Sequence, residues 1–532
     1  MSLSGTPRPP SSPAPTPSGG PDRAPTSATA QRPPGSSVGV LASFWDAHRE
    51  PVAPLALAAY ASVGVVGAWL LVGHRLGLGA ALVGLLLWAP AVRALIRRRA
   101  AGELVTAALA VALVAMVAVR DADWVVGLCL ATATAIGAVA ATSARSGPAV
   151  VLGGLTSLAG LARAVRWLVH GAGRLAGARR AQVLLAVRSV GVTVVLLAVF
   201  GVLFASADRV FASYVPTIDV DVLPAQVVVA GVLAALAAAI AQLAVAPPAW
   251  SGVTVPAGRP ARLGEWLLPV AALDALVLAF VAVQVGGLIG GHRHVLETVG
   301  LSYAQYAREG FAQLVVVTAL TLLVVAVAAR HAPRADARER LVTRIALAVL
   351  CLGTLGVVAS ALRRMGLYVD AFGLTRLRLF VEVVEVVLAV VLVLVLVAGV
   401  RWRARWLPRA VVQVVAVAML ALALANPDAL IARHNTTNVP ETGLDVFYLR
   451  GLSADAAPTL DQLDEPMRSC LLAGGGYRFE DEAGAGGVGA DGIEDVAPVQ
   501  ALAEWNLGRE RAERVYAGGD VGGGNVGSGC DG

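Results

Sequence analysis

Lysine is absent: all 42 basic residues are arginine, which is compositional bias rather than chemistry. Charge as a whole is scarce at 15%, and aromatic residues make up only 5%. A soluble globular chain carries about 25% charged residues, so this balance excludes water as the main solvent of the fold. Four cysteines are too few and too scattered for a disulfide scaffold or a structural zinc site. The motifs G-x-x-x-x-G-K-[ST], H-E-x-x-H and C-x-x-C do not occur, and G-x-S-x-G occurs at 35–39 in a Pro- and Ser-rich stretch without the strand-to-helix turn it needs, which disfavours an ATP-driven pump, a zincin and an α/β-hydrolase. No catalytic residue, cofactor or metal is assigned.

What the chain has in quantity is Ala, Val, Leu and Gly: 57% of its 532 residues are hydrophobic, with a mean hydropathy of +0.72. A hydrocarbon core about 30 Å thick takes roughly 20 apolar residues per helix. Eleven runs qualify, at 52–72, 76–92, 103–119, 124–142, 183–205, 222–246, 267–290, 311–329, 345–362, 379–399 and 409–425. The expected fold is therefore all-α, a polytopic transmembrane bundle of about eleven helices. Residues 1–43, rich in Pro and Ser, read as a disordered tail without a cleavable signal, leaving the first helix as an uncleaved anchor. Residues 44–182 hold the first membrane helices and a basic cytoplasmic loop, and 183–425 the remaining helices.

Alternate connections carry 25 arginines on one side and nine on the other. The positive-inside rule then sets the N-terminus in the cytoplasm and, after eleven spans, the C-terminus outside a cell membrane. The same alternation argues against a further span at 148–162. Arginines 163, 166, 174, 179 and 180, interleaved with Trp167, Leu168 and Leu175, form an amphipathic segment suited to anionic headgroups or, more plainly, an ordinary cytoplasmic loop. The basic pI of 9.5 is absorbed by these loops, so nucleic acid is not an expected partner. The lipid bilayer is, together with an envelope protein or a small solute. Residues 426–532 change character, with 18 of the 36 acidic residues, and form an acidic, partly disordered extracytoplasmic tail with helices expected at 444–463 and 499–516. Cys129 and Cys351 lie in apolar runs; Cys470 and Cys530, in the tail, could pair if it is outside.

Three regions carry polar groups against the apolar background. Tyr303, Tyr306, Arg308 and Glu309 precede the helix at 311–329, where they serve as interfacial anchors or line an outward-facing pocket. Arg363, Arg364, Asp370, Arg376 and Arg378 lie on the arginine-poor side, with Glu382 and Glu385 just inside the next helix. Arg378 and Glu382 share a helix face, so a buried Arg–Glu network joining 345–362 to 379–399 is expected, as a scaffold or as a proton relay or anion clamp. Asp274 is an intramembrane carboxylate and a functional candidate by default, with Gln242, Gln284, Gln313 and Gln413 as available structural partners. Arg188 can snorkel. His292, His294 and Glu297, with His434, form a weak metal constellation. Asn435-Thr436-Thr437 matches a glycosylation sequon of little weight here.

Four blocks of sequence resemble known proteins: S-Y-A-Q-Y-A-R-E-G-F-A-Q-L (302–314), R-M-G-L-Y-V-D-A-F-G-L-T-R-L-R (364–378), N-P-D-A-L-I-A-R-H-N (426–435) and L-D-V-F-Y-L-R-G-L-S-A-D-A-A-P-T-L (444–460), with W-N-L-G-R-E-R-A (505–512) as a fifth. In this order they resemble bacterial membrane proteins of domain-of-unknown-function family 4173, related to family 4153. The resemblance implies an integral membrane protein and supplies no catalytic residue. With polar groups at the rim rather than the midplane, a non-catalytic envelope sensor or scaffold is the expected function. The rival is a secondary transporter using Asp274 and the Arg–Glu cluster.

Overall fold

The structure is a computed structural model. It describes residues 44–45, 53–98, 100–178, 222–248, 250, 263–289, 311–331, 336–401, 404–440, 442–473 and 502–518, with scattered positions between 185 and 203. Among these residues every regular element is helical.

The membrane part comprises α1 (Pro54–Leu71), α2 (Leu78–Arg98), α3 (Ala101–Ala115), α4 (Asp123–Ala141), α5 (Gly147–Ala178), α6 (Leu223–Val245), α7 (Leu263–Ile289), α8 (Phe311–His331), α9 (Ala337–Phe372), α10 (Arg376–Arg401) and α11 (Leu407–Leu424). Nine helices among the described residues are long and apolar enough to cross a membrane. They coincide with nine of the eleven expected runs. The expected run 76–92 falls short, because its apolar stretch Leu78–Val92 is cut off by arginines, and 183–205 lies almost wholly outside the described residues.

Residues 148–162, argued against as a span, are helical. Gly147–Thr156 and Ala159–Val169 meet at a bend of 57°, and the pair together is apolar enough to cross. Gly64 of α1 packs on Ala230 of α6, while Tyr60 clusters with Ala237, Ala238 and Ala241, so these two helices run antiparallel. The glycine is required there, since a Cβ would strike the Ala230 carbonyl, and small residues allow this close approach of backbones.

Two apolar cores lie side by side. One is built by α2–α6 and α11 around Leu113, Val125, Cys129 and Ile136. The other is built by α7–α10 around Leu350, Val357, Val358 and Leu392. Helix α9 has 36 residues, about 54 Å at 1.5 Å per residue, so it outruns the hydrocarbon and carries Arg363, Arg364 and Asp370 toward one end. It stops at Gly373, whose φ of 77° suits glycine, and whose Cβ would crowd Asn435 and Pro440.

The tail folds over that end as a cap of short helices: α12 (Pro427–Thr437), α13 (Val446–Arg450), α14 (Ala457–Leu460), α15 (Met467–Ala473) and α16 (Leu507–Gly518), with a 3-10 turn at Ala454–Ala456. The expected helix 444–463 is thus broken at Gly451 and Ser453, and the one at 499–516 is interrupted at Trp505 and Asn506, with 502–504 and Leu507–Gly518 helical. Ile431, Leu449, Leu452, Leu460 and Leu471 give the cap its own core, continuous with Met365 and Val369 of α9.

Candidate functional site: a polar clasp between cap and bundle

The C-terminal ends of α1, α3, α9 and α11 meet the cap at one end of the bundle, and the local sequence prepares this. Asn426 adopts left-handed backbone (φ 55°), caps α12 by accepting from the Ala429 amide at 3.4 Å, and is followed by Pro427 and Asp428 in the first turn. Proline at that position gives up a hydrogen bond the helix does not use, and an acidic residue suits the helix dipole. Asn506 repeats the device on α16: its Oδ1 accepts from Gly508 and Arg509 at 2.9 and 3.2 Å. Both asparagines spend their side-chain amides across the interface. Asn426 donates to the Asp455 carbonyl at 3.0 Å, and Asn506 to the carbonyls of Val117 and Arg120 at 2.9 Å each.

Two carboxylates form the centre. Asp428, with no solvent exposure, accepts from Arg376 Nε at 3.1 Å, Arg376 Nη2 at 2.6 Å, Trp124 Nε1 at 3.1 Å and the Ser453 amide at 2.8 Å. Burial alone would raise its pKa. The guanidinium and the Ser453 donors more than offset this and hold the carboxyl below the usual range. Asp455, 3% exposed, accepts from the amides of Asp121 and Ala122 at 2.8 and 3.0 Å, and its other oxygen lies 3.5 Å from Arg120 Nη1. Here burial dominates and raises the pKa, against the pull of those amides and of Arg120. Arg120 also donates to the carbonyls of Ala423 and, at 2.8 Å, Leu424, closing the exposed end of α11. Arg509 of α16 joins Asp121 at 2.8 Å and the Leu76 carbonyl at 2.8 Å. The Leu78 amide donates to the Trp505 carbonyl at 2.8 Å.

The expected Arg–Glu network is not what forms. Arg376 turns to Asp428 instead. Arg378 donates to the carbonyls of Phe372 and Gly373 and stacks over Tyr368 at 4.3 Å, so it closes the C-terminus of α9. No ion pair joins Arg378 to Glu382 among the described residues. Glu385 is fully buried in α10 with neither carboxylate oxygen hydrogen-bonded. The physical reason is competition: free carbonyls and a carboxylate at the helix junction lie nearer than a glutamate one turn into the membrane. Arg363 and Asp370 are exposed on α9, and Arg364 is half-buried.

Asp274 is buried in α7 near Cys351 of α9, and none of the four glutamines hydrogen-bonds it. Gln413 instead donates to the Gly102 carbonyl and Thr106. Tyr303, Tyr306, Arg308, Glu309, His292, His294 and Glu297 lie outside the described residues. Among the described residues no three His, Cys, Asp or Glu are grouped to hold a metal. Asn435, of the sequon, is buried and clamps Leu374 through both its oxygen (2.7 Å) and its nitrogen (2.9 Å). Cys129 and Cys351 are free and buried; Cys470 is disulfide-bonded, and its expected partner Cys530 lies outside the described residues.

Sequence reasoning missed Arg120, Trp124, Asp428, Asp455, Asn506 and Arg509. A signal was present, because T-R-L-R, N-P-D, S-A-D and W-N-L-G-R all fall in the blocks quoted for the resemblance and converge here. At the opposite, arginine-rich end a second unforeseen cluster holds α3, α4 and α11 together. Buried Glu103 accepts from Ser143 at 3.0 Å and pairs with Arg145 at 3.4 Å and Arg409 at 3.7 Å.

Asp428 is filled by Arg376, Trp124 and the Ser453 amide, whereas Asp455 Oδ1 accepts no hydrogen bond and lies 3.5 Å from Arg120 Nη1; between them the two carboxylates tie the cap to the bundle. These features define a multi-pass α-helical membrane protein with a cap locked onto one end. A family model described as a domain of unknown function, DUF4153, matches residues 107–463, two thirds of the chain, and the chain belongs to that family. Of the two related families that the sequence blocks resemble, this match supports family 4153. No curated protein and no solved structure matches the chain.

Proposed function

We propose that this protein is a non-catalytic scaffold or sensor of the cell envelope, with its N-terminus in the cytoplasm and its cap outside. The clasp carries this reading. Asp428 and Asp455 tie the cap to the α3–α4 connection and to the starts of α4 and α10, so a load on the cap reaches the helix packing directly. The cap stands on the arginine-poor end and contains a disulfide-bonded cysteine, which favours an oxidising compartment. Deleting 436–532 in a strain under envelope stress tests the reading. Loss of the stress response with the membrane helices still inserted supports it; an unchanged response overturns it.

A second reading, as a secondary transporter, has its own support. Asp274 lies 11 residues into α7 and Glu385 nine into α10, roughly 15 Å from the helix ends and so near mid-depth. Uptake or efflux that survives in both Asp274→Asn and Glu385→Gln proteins, reconstituted in vesicles, removes it.

A further inference from the structure

Helix α5 begins at the arginine-rich end, where Thr156 accepts from Trp250 Nε1 at 3.1 Å. Its second half then runs beside α6, with Gly160 against Leu243 and Ala164 packed in the cluster of Ala237, Ala238 and Ala241. Between α1, α5 and α6 lies a shallow, open and almost wholly apolar cavity of about 300 Å³, lined by Leu57, Tyr60, Ala61, Leu168, Val169 and Ala234. One helical turn before Trp167, whose ring is 6.5 Å from that of Tyr60, stands Arg163.

Arg163 is 4% exposed, and neither Nη atom has a hydrogen-bond partner. Its guanidinium rests 5.0 Å from the ring centre of Phe44, which in turn stacks on Trp250. A ring face is a weak substitute for an anion, and a buried guanidinium lacking acceptors is costly. Gln242, on the adjacent α6, likewise leaves a buried Oε1 unpaired. An unneutralised cation at the edge of the bundle and an apolar slot one to two turns deeper match the two ends of an amphiphile.

We propose that this surface binds one anionic phospholipid, with its phosphate on Arg163 and an acyl chain in the cavity beside Leu168 and Val169. Phe44 turns aside to admit the phosphate oxygens, which Arg engages as a fork. The proposal rests on the multi-pass membrane assignment and on neither functional reading above.

The test uses the full chain, delipidated in neutral detergent, with native mass spectrometry and thermal unfolding. Phosphatidylglycerol is expected to bind one per chain and to raise Tm, whereas phosphatidylcholine does so at least about tenfold more weakly, as for loss of one charge-assisted contact. Arg163→Gln should lose that preference while its lipid-free Tm stays at or above that of the wild type, because an unpaired buried charge has gone. Ala61→Trp, which fills the cavity, should weaken binding of either lipid. Equal binding of the two lipids by wild type, or undiminished phosphatidylglycerol preference in Arg163→Gln, overturns the proposal. Equal stabilisation by inorganic phosphate alone overturns it too, since the anion would then come from solution.

Discussion

Asp428 and Arg376 meet as a two-pronged pair, with Nε on one carboxylate oxygen at 3.1 Å and Nη2 on the other at 2.6 Å. The carboxylate is fully buried while the guanidinium is about one-third exposed. Removing the arginine therefore strands a charge. Arg376→Gln is expected to cost about 3–5 kcal/mol, read as loosening of the cap in limited proteolysis. Arg376→Lys should recover little, because an ammonium cannot span both oxygens. The double variant Arg376→Gln with Asp428→Asn should be less damaged than the arginine change alone, because no charge is left unpaired.

The two central carboxylates respond oppositely to pH. Asp428 has a lowered pKa in the fold, so its stabilisation is present above its unfolded value of about 3.9 and is lost as pH falls through the folded value. Asp455 has a raised one, so its contribution is fully present below about 3.9 and is lost as pH rises through the folded value. Cap protection measured by proteolysis across pH should thus decline less on the alkaline side in Asp455→Asn than in wild type. An identical decline in both would show that Asp455 does not titrate in the clasp.

Gly508 lies so close to Asp455 that a Cβ would overlap its Oδ1. Gly508→Ala must push that carboxylate off the Asp121 and Ala122 amides or displace α16, a cost of about 1–3 kcal/mol. Hydrogen exchange of residues 507–518 should rise in the variant, with the membrane helices unchanged.

At the other end, Glu103→Ala leaves Arg409 without its carboxylate and Ser143 without its acceptor. A loss of about 1–3 kcal/mol is expected, discounted for the exposed Arg145. Glu103→Gln, which keeps the Ser143 bond, should lose less; thermal unfolding in detergent separates the two.

Orientation is tested by single cysteines at Thr442 in the cap and Arg405 at the arginine-rich end, both exposed. A membrane-impermeant maleimide added to intact cells should label Thr442→Cys and spare Arg405→Cys. The reverse pattern would invert the assignment.

Much of the fold was legible because lipid as a solvent imposes one rule on every span. Runs such as 379–399 announce themselves by Val and Leu alone, with no need to know a neighbour. The clasp was half legible. Its motif blocks stand out in the chain, but helical spacing pairs Arg378 with Glu382, whereas the structure pairs neighbouring Arg376 with Asp428, 52 residues away. Helical spacing ranks local pairs; it says nothing of a carboxylate brought back by the cap.

By itself, the sequence determined that the chain lives in a bilayer, which of its ends is arginine-poor, and that its acidic tail differs from the rest, since hydropathy and charge are sums over residues. Only the tertiary structure decided what each buried charge faces. It set Asp428 on Arg376 and Asp455 on the amides of Asp121 and Ala122, and left Glu385 and Arg163 without acceptors or donors. A charge in a low-dielectric interior is governed by the few groups within reach, and reach is fixed by how distant segments pack.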